Sequence, residues 1–447
     1  MKKGWQTKTL GDLCAFENGD RGENYPSRSV QTTSGVPFIN AGHLGENGID
    51  FADMNYIPRE RFDLLGNGKI RKDDILFCLR GSLGKFACVG DVSEGAIASS
   101  LVIIRPNKEL LNPFLCAYLQ SGNCADMIRE FRNGAAQPNL AAASLKKFVI
   151  PLPPLAEQQR IVGILDEAFE GIATAKANAE KNLQNARALF ESALNAAIQG
   201  ELIPQDSRDD SAAELIFQIE KARKVAITQG RAKAEKSEPL ERNMDGVIKL
   251  PTTWKWAQLE SLTVGISDGV HKKPHYVSTG VPFITVKNLT AGPSISFDDL
   301  NYVTRKDHEE FIKRTHPEKG DILITKDGTI GVVRLIDTDI EFSIFVSVAL
   351  IKPVMRELAP YLVYALRASC VQSQIVPQGA ALKHLYLVDL RRLAIPLPPL
   401  KEQKRIVDAL DALREETQRL ATIYERKLAA LDDLKKSLLH QAFSGNL

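Results

Sequence analysis

Apolar residues fall along this chain in two rhythms. Short runs, among them Asp74–Cys78, Leu101–Ile104, Asp321–Ile324 and Val346–Ile351, are bounded by Gly, Asn, Asp and Pro and predict β-strands. The other rhythm is helical and long. After Glu157, and again after Glu402, nothing breaks a helix for about 40 residues. At ~1.5 Å per residue such a helix is on the order of 65 Å long, and it needs a partner along its side. Alternating steps of four and three run through Ile406, Leu410, Leu413, Thr417, Leu420, Tyr424, Lys427, Leu431, Leu434 and Leu438. They run equally through Ile161, Leu165, Ala168, Ile172, Ala175, Ala179, Asn182, Ala186, Leu189 and Ala193. This spacing predicts a coiled-coil seam, Leu-rich against Ala-rich, with Asn182 and Lys427 at equivalent steps to fix its register.

The two seams belong to a duplication. IPLPPLAEQQRIVGILD from Ile150 and IPLPPLKEQKRIVDALD from Ile395 share 13 of 17 positions at an offset of 245. Gly35–Ile39 recurs as Gly280–Ile284 at the same offset. Asn55-Tyr56, Asp74-Ile75-Leu76 and the glycines at 81 and 84 have counterparts in Asn301-Tyr302, Asp321-Ile322-Leu323, Gly328 and Gly331. A period this long denotes two copies of a domain with its appendage. Each copy divides in two. Residues 1–150 and 246–395 read as compact α+β domains, and 151–202 and 396–447 as long helices opened by a proline-fixed lead-in. Gly200 and Gly445 stand where C-terminal caps belong. Residues 203–245 form a linker, helical over 212–226 and otherwise a mobile connector by its charge runs.

Composition narrows the classes little further. With 447 residues, 44% apolar and 25% charged, the chain is globular, and no apolar stretch reaches a membrane span. No apolar h-region follows the basic N-terminus, so a secretory signal is not expected. The six cysteines show no C-x-x-C spacing and read as small buried thiols of a reducing cytoplasm. Fifty-seven basic residues against 55 acidic leave the total near neutral, so any nucleic-acid partner must be met by local clusters.

Catalytic signatures are missing from the sequence. It has no phosphate loop (Gly66-Asn67-Gly68-Lys69 is too short), no G-x-G-x-x-G, no H-E-x-x-H and no G-x-S-x-G. The histidines form no ligand pattern common to both copies, and His271 and His275 are separated by Pro274. Asp73, Asp74 and Asp321 have no acidic-x-Lys after them and read as turn residues, not nuclease carboxylates. No metal or cofactor site is expected in this chain. Its work is binding and positioning.

The two P-L-P-P-L-x-E-Q-x-R-I-V helix openers, the paired GVPFI segments, the turn Asp268–Pro274 and the run Gly200–Gln205 resemble the DNA-specificity subunit of type I restriction–modification enzymes. The resemblance covers essentially the whole chain. It implies an α+β fold, with two tandem α/β target-recognition domains joined by two long helices in an antiparallel coiled coil. It also implies a non-catalytic cytoplasmic subunit that reads a bipartite, asymmetric site on double-stranded DNA, one half per head. Two methyltransferase subunits holding S-adenosylmethionine and the restriction/translocase subunits are the implied partners. A methylation-only system, a free-standing DNA enzyme and a two-headed scaffold that binds no DNA are the alternatives.

Base readout needs Arg, Lys, Asn or Gln on loops carried by a rigid domain. In the first head the expected DNA contacts are Arg21, Arg28, Arg80, Lys85, Gln137 and Asn139; in the second, Lys272, Lys273, Lys287, Lys326, Lys383 and His384. The twice-repeated helix starts, Glu157, Gln158, Arg160 and Glu402, Gln403, Arg405, are the expected docking surface for the methyltransferase.

Overall fold

The computed structural model describes residues 4–45, 48–134, 138–206, 208, 210–232, 248–377 and 383–447. The chain forms two compact units, Met1–Lys181 with Tyr424–Leu447, and Asn182–Ile423.

In the first unit a four-stranded antiparallel sheet has the order Cys14–Asn18, Leu101–Pro106, Ile75–Cys78, Phe86–Cys88. Its two central strands are buried on both faces, which is why they read as continuous apolar runs. Ile75, Phe77, Val102 and Ile104 face Phe114, Leu115 and Tyr118 of the helix Asn112–Gln120. Leu76, Cys78, Leu101 and Ile103 face Ile39 and Ile97. Those last two lie in a three-stranded sheet of order Asn55–Ile57, Val36–Ile39, Ala96–Ile97, whose second pair is parallel. Gln6–Thr9 pairs with Val149–Leu152 just before the first long helix.

The second unit repeats these sheets in the same strand order but, among the described residues, without the short Leu44–Gly45/Gly48–Ile49 pair of the first. The order is Thr263–Asp268, Val348–Pro353, Ile322–Thr325, Val333–Leu335, with Asn301–Val303, Val281–Ile284 and Ser343–Ile344 beside it. Lys255–Gln258 pairs with Ala394–Leu397. Two of the carboxylates read as turn residues, Asp74 and Asp321, are held in ion pairs, one in each unit. Arg105 holds Asp74 through two bonds of 2.7 and 2.9 Å, and at the equivalent place Lys352 and Arg356 hold Asp321 at 2.6 and 2.5 Å.

Each long helix, Leu155–Gln199 and Leu400–Ser444, is continuous for 45 residues. In the first unit they run antiparallel: Arg160 Nη2 donates to Leu447 O at 2.7 Å, and Lys176 Nζ to Asp432 Oδ1 at 2.6 Å. Phe443 near the end of the second helix enters the core of the first unit, its ring 5.1 Å from Phe114 and 5.6 Å from Tyr118. Within the second unit Phe190, Leu194 and Ile198, near the end of the first helix, share a core with Ile406 and Leu410. Gly200 and Gly445 take the left-handed conformation, with φ of +80° and +79°. Glu201 N then reaches Ala196 O, and Asn446 N reaches Gln441 O, closing both helices with the backbone bond of a Schellman motif.

The seam is not a strict heptad throughout. Ile161, Leu165, Ile172 and Ala179 are buried, but Asn182 and Leu189 are exposed, and Leu183 and Phe190 carry the contact instead. Lys427 and Leu434 are likewise exposed while Leu428 and Lys435 are half-buried. A helix of 3.6 residues per turn drifts ~20° per heptad against a seven-residue repeat, and here one row moves on by one residue while the other stays buried through Ala186 and Ala193. Asn182 and Lys427 therefore do not set the register from within the seam.

The linker is also less free than its composition suggests. Its helix, Ala212–Thr228, buries Leu215 and Ile219 in the core of the second unit. Gln205 bridges Thr253 Oγ1 and Glu402 Oε1, at 3.0 and 2.7 Å. Among the described residues no helix is long and apolar enough to cross a membrane.

Candidate nucleic-acid interface

Three of the residues expected to touch DNA in the first head meet at one place. The turn after Ile75–Cys78 puts Arg80 on the surface, where its Nε donates to Asn139 Oδ1 at 3.2 Å. Backbone bridges tie Asn139 to both Arg80 and Asn133. Arg21 is exposed, donates to Ser99 O at 3.3 Å, and closes with Asn18, Leu79, Arg80 and Asn139 around a cavity of about 170 Å³. Lys85, on the same turn, reaches Ala41 O at 3.2 Å. Arg28 is exposed on the separate short turn Arg28–Val30. Gln137 lies outside the described residues.

In the second head Lys272 and Lys273 are exposed on the loop after Thr263–Asp268, with Lys273 Nζ 6.0 Å from the Tyr276 ring centroid. Lys287 is exposed and paired with Asp299 at 3.0 Å. Lys383 is exposed, and the neighbouring His384 is bonded through Nδ1 to Asp327, with the Tyr386 ring edge-on at 4.7 Å.

Lys326 is a correction. Its side chain is 2% exposed, and Nζ donates to Asp268 Oδ2 at 2.7 Å, so it presents no donor to a groove. Asp268 also accepts from Arg314 at 2.7 Å and contacts His271 at 3.2 Å. Burial works against ionisation of Asp268, yet the Lys326 ammonium, with His271 and Arg314, holds its carboxyl below the usual range. Asp268, Asp327 and Arg314 are not among the expected contacts; the repeat, which sets Gly81 against Gly328, is the sequence signal that places Asp327 opposite Arg80.

The helix starts need correction too. Gln158 is fully buried: Nε2 donates to Glu109 O and Pro153 O at 2.8 and 2.9 Å, and Oε1 accepts from Leu111 N at 2.9 Å. Gln403 is 1% exposed and makes the matching bond to Pro398 O at 2.9 Å. The repeated glutamine thus pins the proline lead-in to the first turn of its helix. In the second unit Leu358 N bonds Met355 O instead, and Gln403 Oε1 has no partner among the described residues. Glu402 is 1% exposed and bonded to Gln205. A docking surface is left only Glu157 and Arg160, paired with each other at 2.8 and 2.9 Å, and the half-buried Arg405.

The geometry is that of two like scaffolds carrying unlike polar loops. The profile of the type I restriction modification DNA specificity domain matches residues 2–184 and 266–425, and the chain belongs to that family. It is 26% identical over 317 residues to the type I restriction enzyme EcoBI specificity subunit of Escherichia coli, covering 69% of this chain and 60% of that protein. With the EcoKI specificity subunit of Escherichia coli strain K12 it shares 22% over 460 residues, covering 100% of this chain and 90% of that one. A chain from a solved structure concerned with complex assembly and conformational transition of the type I R-M system superposes with a TM-score of 0.73. That match has 20% identity and covers 100% of this chain and 99% of the other, a likeness of fold.

Proposed function

We propose that this chain is the non-catalytic, sequence-reading subunit of a type I restriction–modification enzyme. It recognises a two-part, asymmetric sequence on double-stranded DNA, one half per head. The observation carrying this reading is that two units whose main sheets share one strand order present different side chains on equivalent loops. One architecture then approaches DNA twice and asks for different bases each time. The antiparallel helices set the number of unread base pairs between the halves. Methylation and cleavage belong to partners, two methyltransferase subunits that hold S-adenosylmethionine and the restriction/translocase subunits, in the cytoplasm. The exposed Arg160 pair with Glu157 supports a docking role at the first helix start.

The test is selection from a randomised duplex library by the chain assembled with its methyltransferase subunit. Two unlike short motifs at a fixed gap are expected, bound with a steep dependence on salt from the phosphate contacts. A palindrome, a single contiguous motif or no enrichment contradicts the reading.

A further inference from the structure

Backbone pairing fixes which residues of the two heads correspond. Asn18 pairs with Val102 as Asp268 pairs with Ala349, and Cys78 with Leu101 as Thr325 with Val348. One residue on, Leu140 N donates to Leu79 O and Leu385 N to Lys326 O, each at 2.9 Å. The next residue forms an isolated bridge in each head, Arg80 with Asn139 and Asp327 with His384. The glycines that shape the turn occur in both copies with positive φ, Gly81 and Gly84 at +80° and +82°, Gly328 and Gly331 at +67° and +86°. Leu140 and Leu385 are both buried beneath. Framework and backbone bonds are thus held while the polar character at and beneath the bridge changes: Asn18 against Asp268, Leu79 against Lys326, Arg80 against Asp327, Asn139 against His384.

At the bridge both partners reach the surface and bond to each other through side chains. Beneath it, the second head fills with the Lys326–Asp268 pair, and the first leaves its cavity. A latch that only fastened the loop would serve equally well with the same pair in both heads. Instead its chemistry is inverted, a guanidinium and carboxamide in one, a carboxylate and imidazole in the other.

We propose that this bridge is the base-reading element of each head, Arg80–Asn139 contacting a guanine in one half-site and Asp327–His384 a cytosine at the equivalent position of the other. The inference rests on the function proposed above and adds the residues that divide the two halves. Asn139 engages Arg80 through Nε, which leaves the Nη edge of the guanidinium for O6 and N7 of guanine. The carboxylate of Asp327, oriented by His384, accepts from the exocyclic amine of cytosine. Ordering the pairs before DNA arrives lowers the entropic cost of contact.

The experiment is library selection by the full chain with its methyltransferase subunit, comparing parent, Arg80→Asp with Asn139→His, and Arg80→Ala. In the double variant one base of one half-site is expected to shift from guanine toward cytosine. In Arg80→Ala discrimination at that base falls roughly tenfold, while the other half-site and the gap are unchanged. Retention of the parental base by both variants overturns the proposal; should the double variant not fold, Arg80→Ala decides alone. A parent that enriches no two-part sequence counts instead against the proposed function.

Discussion

Lys326 and Asp268 form a buried ion pair at 2.7 Å, where the first head has Leu79 and Asn18 at the same two places. Lys326→Leu alone strands a buried carboxylate that keeps only Arg314 and His271, a loss of about 3 kcal/mol by analogy with broken buried pairs. Asp268→Asn in the same chain removes that charge and reproduces the arrangement of the first head. Urea unfolding is expected to show the double variant recovering most of the loss, a coupling of more than about 1 kcal/mol.

The same pair sets an acid sensitivity. Asp268 has a folded pKa below its ordinary value of 3.8, so the unfolded chain takes up the proton first. Its stabilisation is complete above that ordinary value and is lost as pH falls through the folded one. Urea midpoints of the parent are therefore expected to fall faster than those of the double variant below about pH 4, with parallel curves above it. Parallel curves down to the lowest pH would remove Asp268 from the acid response.

The two pinning glutamines predict unequal costs. Gln158→Met breaks three bonds to backbone groups, whereas Gln403→Met breaks one and removes an oxygen that has no partner among the described residues. The first is expected to cost about 3 kcal/mol and the second under about 1 kcal/mol, read as separate shifts in denaturant midpoint.

Cysteine chemistry departs from the sequence reading at one place. Cys14 and Cys124 are buried, and burial pushes their thiols up to about 12. Cys88 is exposed, and the hydrogen bond from Cys116, Sγ to Sγ at 2.7 Å, lowers its pKa. An alkylating reagent near neutral pH is expected to modify Cys88 first, as mass spectrometry of timed digests would show, and Cys116→Ala to slow that reaction.

The parts of this molecule written locally were legible. Proline lead-ins, capping glycines at 200 and 445 and apolar runs such as Ile75–Cys78 declare themselves over a few residues, and the repeat sets them in register. What escaped depends on distant partners. Gln158 looks like a surface residue until Glu109 and Leu111 fold against it, and Lys326 like a DNA contact until Asp268, 58 residues earlier, meets it. The seam holds at Ala186 and Ala193 but loses Asn182 and Leu189, because a heptad pattern does not report the slow rotation of a nearly straight helix. Asp327 does not stand out in the sequence because a carboxylate is not an expected groove contact until His384, 57 residues on, bonds to it.

Exchange of the first head tests the division of labour most directly. Residues 1–150 are replaced by those of a relative with a different target, the chain is assembled with its methyltransferase subunit, and the preferred duplex is selected. One half of the sequence is expected to change to the donor's, with the other half and the gap retained. Simultaneous change of both halves would contradict independent reading by the two heads.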